Sequence, residues 1–204
     1  MWSRVSYFYD EESWMNKTNS LLLPRRTFIA SGILLGSALI GKTRVWGSNT
    51  RDSQKAKETL SSDEKKWVDD STMAKDLRNY FGQGYSCAES LLMVSLRYLQ
   101  KPEELVWAAA GFGGGMYQRD LCGFLTGGIM ALGYASGMLN ISRKEAKEYC
   151  GGLVKEYWDW WGSQAPYRCA KIRTDGTTSA VCTNQGLLSA AKIEELLGSI
   201  KNKV

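Results

Sequence analysis

Five cysteines, at 87, 122, 150, 169 and 182, are the residues of this chain with the widest chemical range. The chain contains no histidine. That removes histidine general-base catalysis, the Ser-His-Asp triad, histidine-ligated haem, the CxxCH haem attachment and mixed Cys/His zinc sites. Metal or redox chemistry here must run through thiolate or carboxylate. Cys150 falls mid-helix on an apolar stripe with Ala146, Tyr149 and Leu153, and reads as a core residue, because a buried cysteine behaves as a small hydrophobe. Cys87, Cys122, Cys169 and Cys182 remain. Four thiolates suit an iron–sulfur cluster or, as a weaker alternative, a tetrahedral zinc site. They equally suit two disulfides in one of three pairings. Their wide spacing matches no CxxC…CxxC ribbon.

The elements that must carry these cysteines are helices. Ser71 is placed to cap a helix bearing Met73, Leu77, Tyr80 and Phe81, ended by Gly82 and Gly84. Ser86 and Glu89 form a capping box that puts Cys87 in the first turn of the next helix. Pro102 suits the first turn of a third, with Glu103 and Glu104 where the dipole favours acid, and it closes at Gly111. A helix starting near Cys122 carries Gly123, Gly127, Ala131 and Ala135 at spacing four, a face that admits close backbone approach. Ser142 caps a long amphipathic helix with Leu153, Tyr157 and Trp160 or Trp161. Trp158, Trp160 and Trp161 read as packing bulk. A loop from 162 to 183 holds Cys169 and Cys182, and a last helix runs from about 185 to 201. No period-two strand pattern appears. The expected fold is an all-α bundle of five to six helices with a glycine-rich central helix.

Cys87 and Cys122 thus sit at helix N-termini, where free N–H groups stabilise a thiolate and lower its pKa. These two are the candidate redox-active thiols. Cys169 and Cys182 bracket a polar loop with Lys171, Arg173 and Asp175, and either basic support for a cluster or a loop-stapling disulfide fits them. The glycines of Gly111-Phe112-Gly113-Gly114-Gly115-Met116 lack the Lys-Ser/Thr of a phosphate loop and read as a turn that lets backbone approach a cluster or thiol.

Residues 1–47 read as an export signal. Arg25 and Arg26, followed by Phe28 and Ile29, form a twin-arginine motif ahead of a short, glycine-rich apolar stretch to Gly41. About 20 apolar residues are needed to span a bilayer, so a signal segment fits better than a membrane helix. An uncleaved signal acting as an anchor is the alternative. Acidic Asp10, Glu11 and Glu12 suit no n-region, and Met15 is the expected true start. Removing 1–47 takes away six Lys/Arg and three Asp/Glu, so the net charge of +5 falls to +2. That balance has no concentrated basic stripe and excludes nucleic acid as a partner. Residues 48–70 are polar and read as a linker or frayed helix, and 71–204 as the cysteine domain.

The run from Tyr85 to Leu91, the block Gly111–Met116, the block Cys122–Gly133 and the closing Cys169 and Cys182 together resemble the C_GCAxxG_C_C family of redox-active proteins. A related domain occurs in split-Soret cytochromes c, beside haems and an iron–sulfur centre; this chain lacks the haem part. The resemblance implies a helical domain whose Cys87, Cys122, Cys169 and Cys182 are redox-active or bind metal. Ala170-Lys171-Ile172 and Thr183 stand where the family often has Arg-x-Leu and Pro. The function expected is an exported electron-transfer protein with an iron–sulfur cluster, in the periplasm or another extracytoplasmic space. The alternatives are a thiol–disulfide protein or a non-catalytic module with two disulfides. The expected partners are the twin-arginine machinery, a redox partner and, as an assembly, a second copy of the chain.

Overall fold

The computed structural model describes residues 56–174 and 180–201. The twin-arginine motif, the Met15 start and Asp175 lie outside them. Among the described residues the fold is all-α, as expected, with no extended sheet and only two isolated bridges. Helices α1 (Ser62–Asp70), α2 (Thr72–Tyr80), α3 (Cys87–Tyr98), α4 (Gly123–Ser136), α5 (Arg143–Gln164), α6 (Cys169–Ile172) and α7 (Ala180–Lys201) are joined by a 3-10 helix at Glu103–Phe112. No described helix is long and apolar enough to cross a membrane.

Two differences raise the count above five or six. Residues 62–70, read as linker or frayed helix, form α1, which opens on a complete Ser61/Glu64 capping box and buries Val68 against the bundle. Trp67 adds an edge contact to Trp160 at 6.2 Å. Second, the expected 162–183 loop contains α6, and α7 begins at Ala180. Cys182 is therefore in a helical first turn, not a loop. The Pro102 helix is 3-10 rather than α, and its buried Val106 and Ala109 lie three apart, the spacing that eclipses side chains at three residues per turn.

Helix α4 runs through the centre and packs against α3, α5 and α7. Its glycine face does what the spacing suggests. A Cβ on Gly127 would sit 2.6 Å from the Ala88 carbonyl oxygen, and one on Gly123 would overlap the Cys87 sulfur. Only hydrogen at these two positions lets α3 and α4 cross where both cysteine-bearing ends meet. Ala131 and Ala135 continue the same face into the core. Tyr157, fully buried, donates its hydroxyl to the Phe124 carbonyl at 3.1 Å and ties α5 to the start of α4.

Candidate functional site

Each of the four expected cysteines stands at the start of a helix. Cys87 is the first residue of α3, behind the Ser86/Glu89 capping box. Cys122 is the N-cap of α4. Cys169 opens α6 and Cys182 falls in the first turn of α7. All four line one cavity of about 440 Å³, with Phe81, Tyr85, Phe124, Ile172, Arg173 and Gln185 among its walls. Cys122, Cys169 and Cys182 are buried and Cys87 is half-buried.

Local hydrogen bonds fix the arrangement. The chain at 120–122 runs antiparallel to 167–169, with Leu121 opposite Arg168. Cys122 N–H donates to the Tyr167 carbonyl at 2.8 Å, and Cys169 N–H to the Asp120 carbonyl at 2.6 Å. Two cysteines 47 positions apart in sequence are thereby held in register. The end of α5 braces this bridge. Trp161 Nε1 donates to the Pro166 carbonyl at 3.0 Å, Tyr167 donates to the Trp158 carbonyl at 3.2 Å, and the Trp158 and Tyr167 rings stack 4.5 Å apart. The tryptophans are packing bulk, as read from sequence, and their packing carries through to the cysteines.

The glycine block forms a left-handed turn beside the site. Gly114, Gly115, Met116 and Tyr117 all have φ between 56° and 70°. At Gly115 a side chain would meet Cys169 Cβ and the Asp120 backbone, each at about 2.8 Å. The glycine backbone here comes close to the Cβ of Cys169. Arg119, whose guanidinium donates to the Arg173 carbonyl, lies next in this turn.

The electrostatics link the four sulfurs and correct one expectation. Burial pushes the Cys122 thiol well above its ordinary range, and Cys87 adds to the rise, with Cys169 a smaller contributor. The N–H groups of Phe124 and Leu125, at the helix start, pull the other way and are outweighed. Cys122 was expected to be a lowered-pKa thiol on its helix position alone; desolvation wins because the sulfur is sealed from water. Cys169 is also raised, by burial first and Cys87 second, while Arg173 and Arg119 oppose the rise. Arg173 was expected near these sulfurs; Arg119 was not.

Cys150 is not a core residue. It is half-buried and lines a separate surface groove with Leu139, Ile141, Arg143 and Lys147, because α5 exposes much of that stretch. Cys87, Cys122, Cys150 and Cys169 are in no disulfide, so the loop staple weighed for Cys169 and Cys182 is not formed. Among the described residues, no three Cys, Asp or Glu side chains converge tightly enough to hold a single metal ion. The cysteines wall a space rather than meet at a point. The residues missed in sequence are Phe81, Tyr85 and Gln185. Gln185 alone left a trace, as a polar residue three positions after Cys182 at the head of an apolar helix.

The fold and this site define a helical protein built around a four-cysteine cavity. A family model described as "Putative redox-active protein (C_GCAxxG_C_C)" matches residues 85–196, which include all four cysteines of the cavity. The chain belongs to this family. No match to the chain was found among curated proteins or among solved structures.

Proposed function

We propose that this chain is an exported electron-transfer protein that holds an iron–sulfur cluster on Cys87, Cys122, Cys169 and Cys182. The observation that carries the reading is the selection the fold makes: these four cysteines line one cavity and the fifth lies elsewhere. The donor set is all sulfur, which suits iron–sulfur chemistry. The cavity's volume of about 440 Å³ leaves room for a polynuclear group between the four cysteines. A cluster brings its own sulfides and asks for thiolates set further apart. When bound, it would supply one-electron chemistry. The residues around it exclude water with Phe81, Phe124 and Ile172, and place Arg119 and Arg173 where they favour thiolate at Cys169.

The thiol–disulfide alternative has less support. One of its two candidates, Cys122, is buried and held toward the thiol, the weak form for attack on a disulfide, which leaves the half-buried Cys87 as its remaining nucleophile. Binding of metal displaces such protons at a stroke. Twin-arginine export suits a protein folded around a cofactor before it leaves the cytoplasm, and the reading of Arg25, Arg26 and Phe28 agrees with that order. Anaerobic purification with iron, acid-labile sulfide and zinc analysis, together with a visible spectrum, tests the proposal. Iron and sulfide in comparable amounts with charge-transfer absorption support it. A colourless protein that takes up neither after reconstitution refutes it.

A further inference from the structure

Gln185 lies on α7 one helical turn beyond Cys182, so the two side chains share a face. It lines the four-cysteine cavity and is only 3% exposed. Its side-chain nitrogen, Nε2, is fully buried and finds no acceptor among the described residues. A buried amide left without a partner is costly, and natural folds satisfy nearly all such groups. Neighbouring α7 polar groups are treated differently. The Ser189 hydroxyl donates to the Gln185 carbonyl at 2.6 Å, and Lys192 is paired with Glu156 and Glu195. The fold therefore pairs these polar groups along α7 and leaves the amide of Gln185, a residue of the cavity wall, without an acceptor.

We infer that the Gln185 amide donates a hydrogen bond to a sulfur of the cavity's occupant, and that Gln185 is a fifth cofactor residue beside the four cysteines. The inference rests on the iron–sulfur reading above. An N–H donor to cluster sulfur stabilises the more negative, reduced state and raises the reduction potential. In the metal-free protein the same amide is a liability, since its acceptor is missing. Gln185 thus costs stability without the cluster and favours reduction with it.

The test compares the full chain with Gln185→Met, which keeps the length and removes the donor, and with Gln185→Leu as a second apolar replacement. Iron and sulfide are quantified after anaerobic reconstitution, and each midpoint potential is then titrated. Both variants are expected to bind iron and sulfide as the wild type does. Their oxidised-to-reduced equilibrium is expected to shift about tenfold toward the oxidised state, a fall of about 59 mV for a one-electron couple. Metal-free Q185M is expected to melt at or above the wild-type temperature. Equal cluster content with an unchanged potential overturns this inference and leaves the iron–sulfur reading standing. Metal-free variants that melt well below the wild type make Gln185 a packing residue and also overturn it. A wild type that binds no iron overturns both.

Discussion

At the residue scale, the account turns on what burial does to sulfur. Cys122 has the position of an activated thiol and the environment of a protonated one. Its folded pKa is raised above the unfolded value by burial first and Cys87 second. The stabilisation from keeping it neutral is fully present below the unfolded pKa and is lost as pH rises past the ordinary thiol value of 9.0 toward the folded value. Cys169 moves in the same direction. The metal-free chain should therefore hold its thermal stability up to about pH 8 and lose it as pH rises through 9.0 and beyond, and Cys122→Ala should flatten that fall. Thermal melts across this range check it; an equally steep fall in the alanine variant would count against the role given to Cys122. Sequence position alone suggested the opposite direction. Capping geometry is local and legible, whereas desolvation comes from the packing of elements distant in sequence around α4, and no local pattern encodes that.

At the element scale, the site exists because helices start where cysteines lie and because α4 lets α3 come close. The Gly123 and Gly127 contacts make specific predictions. Gly123→Ala drives a methyl into the Cys87 sulfur and should cost about 1–3 kcal/mol while separating the two cysteines. Gly133, on the same helix, is exposed and has open space at its missing Cβ. Gly133→Ala should stabilise by about 0.5–1 kcal/mol, because alanine is the better helix former. Chemical denaturation of the two variants decides whether these glycines differ as described. Much of this level was readable. The Ser86/Glu89 box, the Ser142 cap and the spacing-four glycine face all appear in the sequence and in the fold. The placement of Cys182 was not. Its surroundings, rich in Gly, Ser and Thr, have loop propensities, and burial of the first turns of α7 overrides them. The bridge between 120–122 and 167–169 was equally invisible, since it joins residues distant in sequence through backbone bonds that any side chains could make.

At the scale of the whole molecule, the export segment and the cysteine domain tell one story under the proposed function. If the cofactor is inserted before export, the twin-arginine pair is essential to delivery. Replacing Arg25 and Arg26 with lysine should retain the precursor in the cytoplasm, as fractionation of cells would show, while the retained protein still binds iron. Delivery of the double variant at the wild-type level would contradict the twin-arginine reading. The central claim is narrower and concerns the cavity: four cysteines act as one set, and Cys150 stands outside it. The most direct measurement is the iron and acid-labile sulfide content of five single cysteine-to-serine variants, purified and reconstituted anaerobically beside the wild type. The account predicts that serine at 87, 122, 169 or 182 abolishes or sharply reduces bound iron and sulfide, and that Cys150→Ser retains both in full. Loss on changing Cys150, or full retention on changing any of the other four, would contradict it.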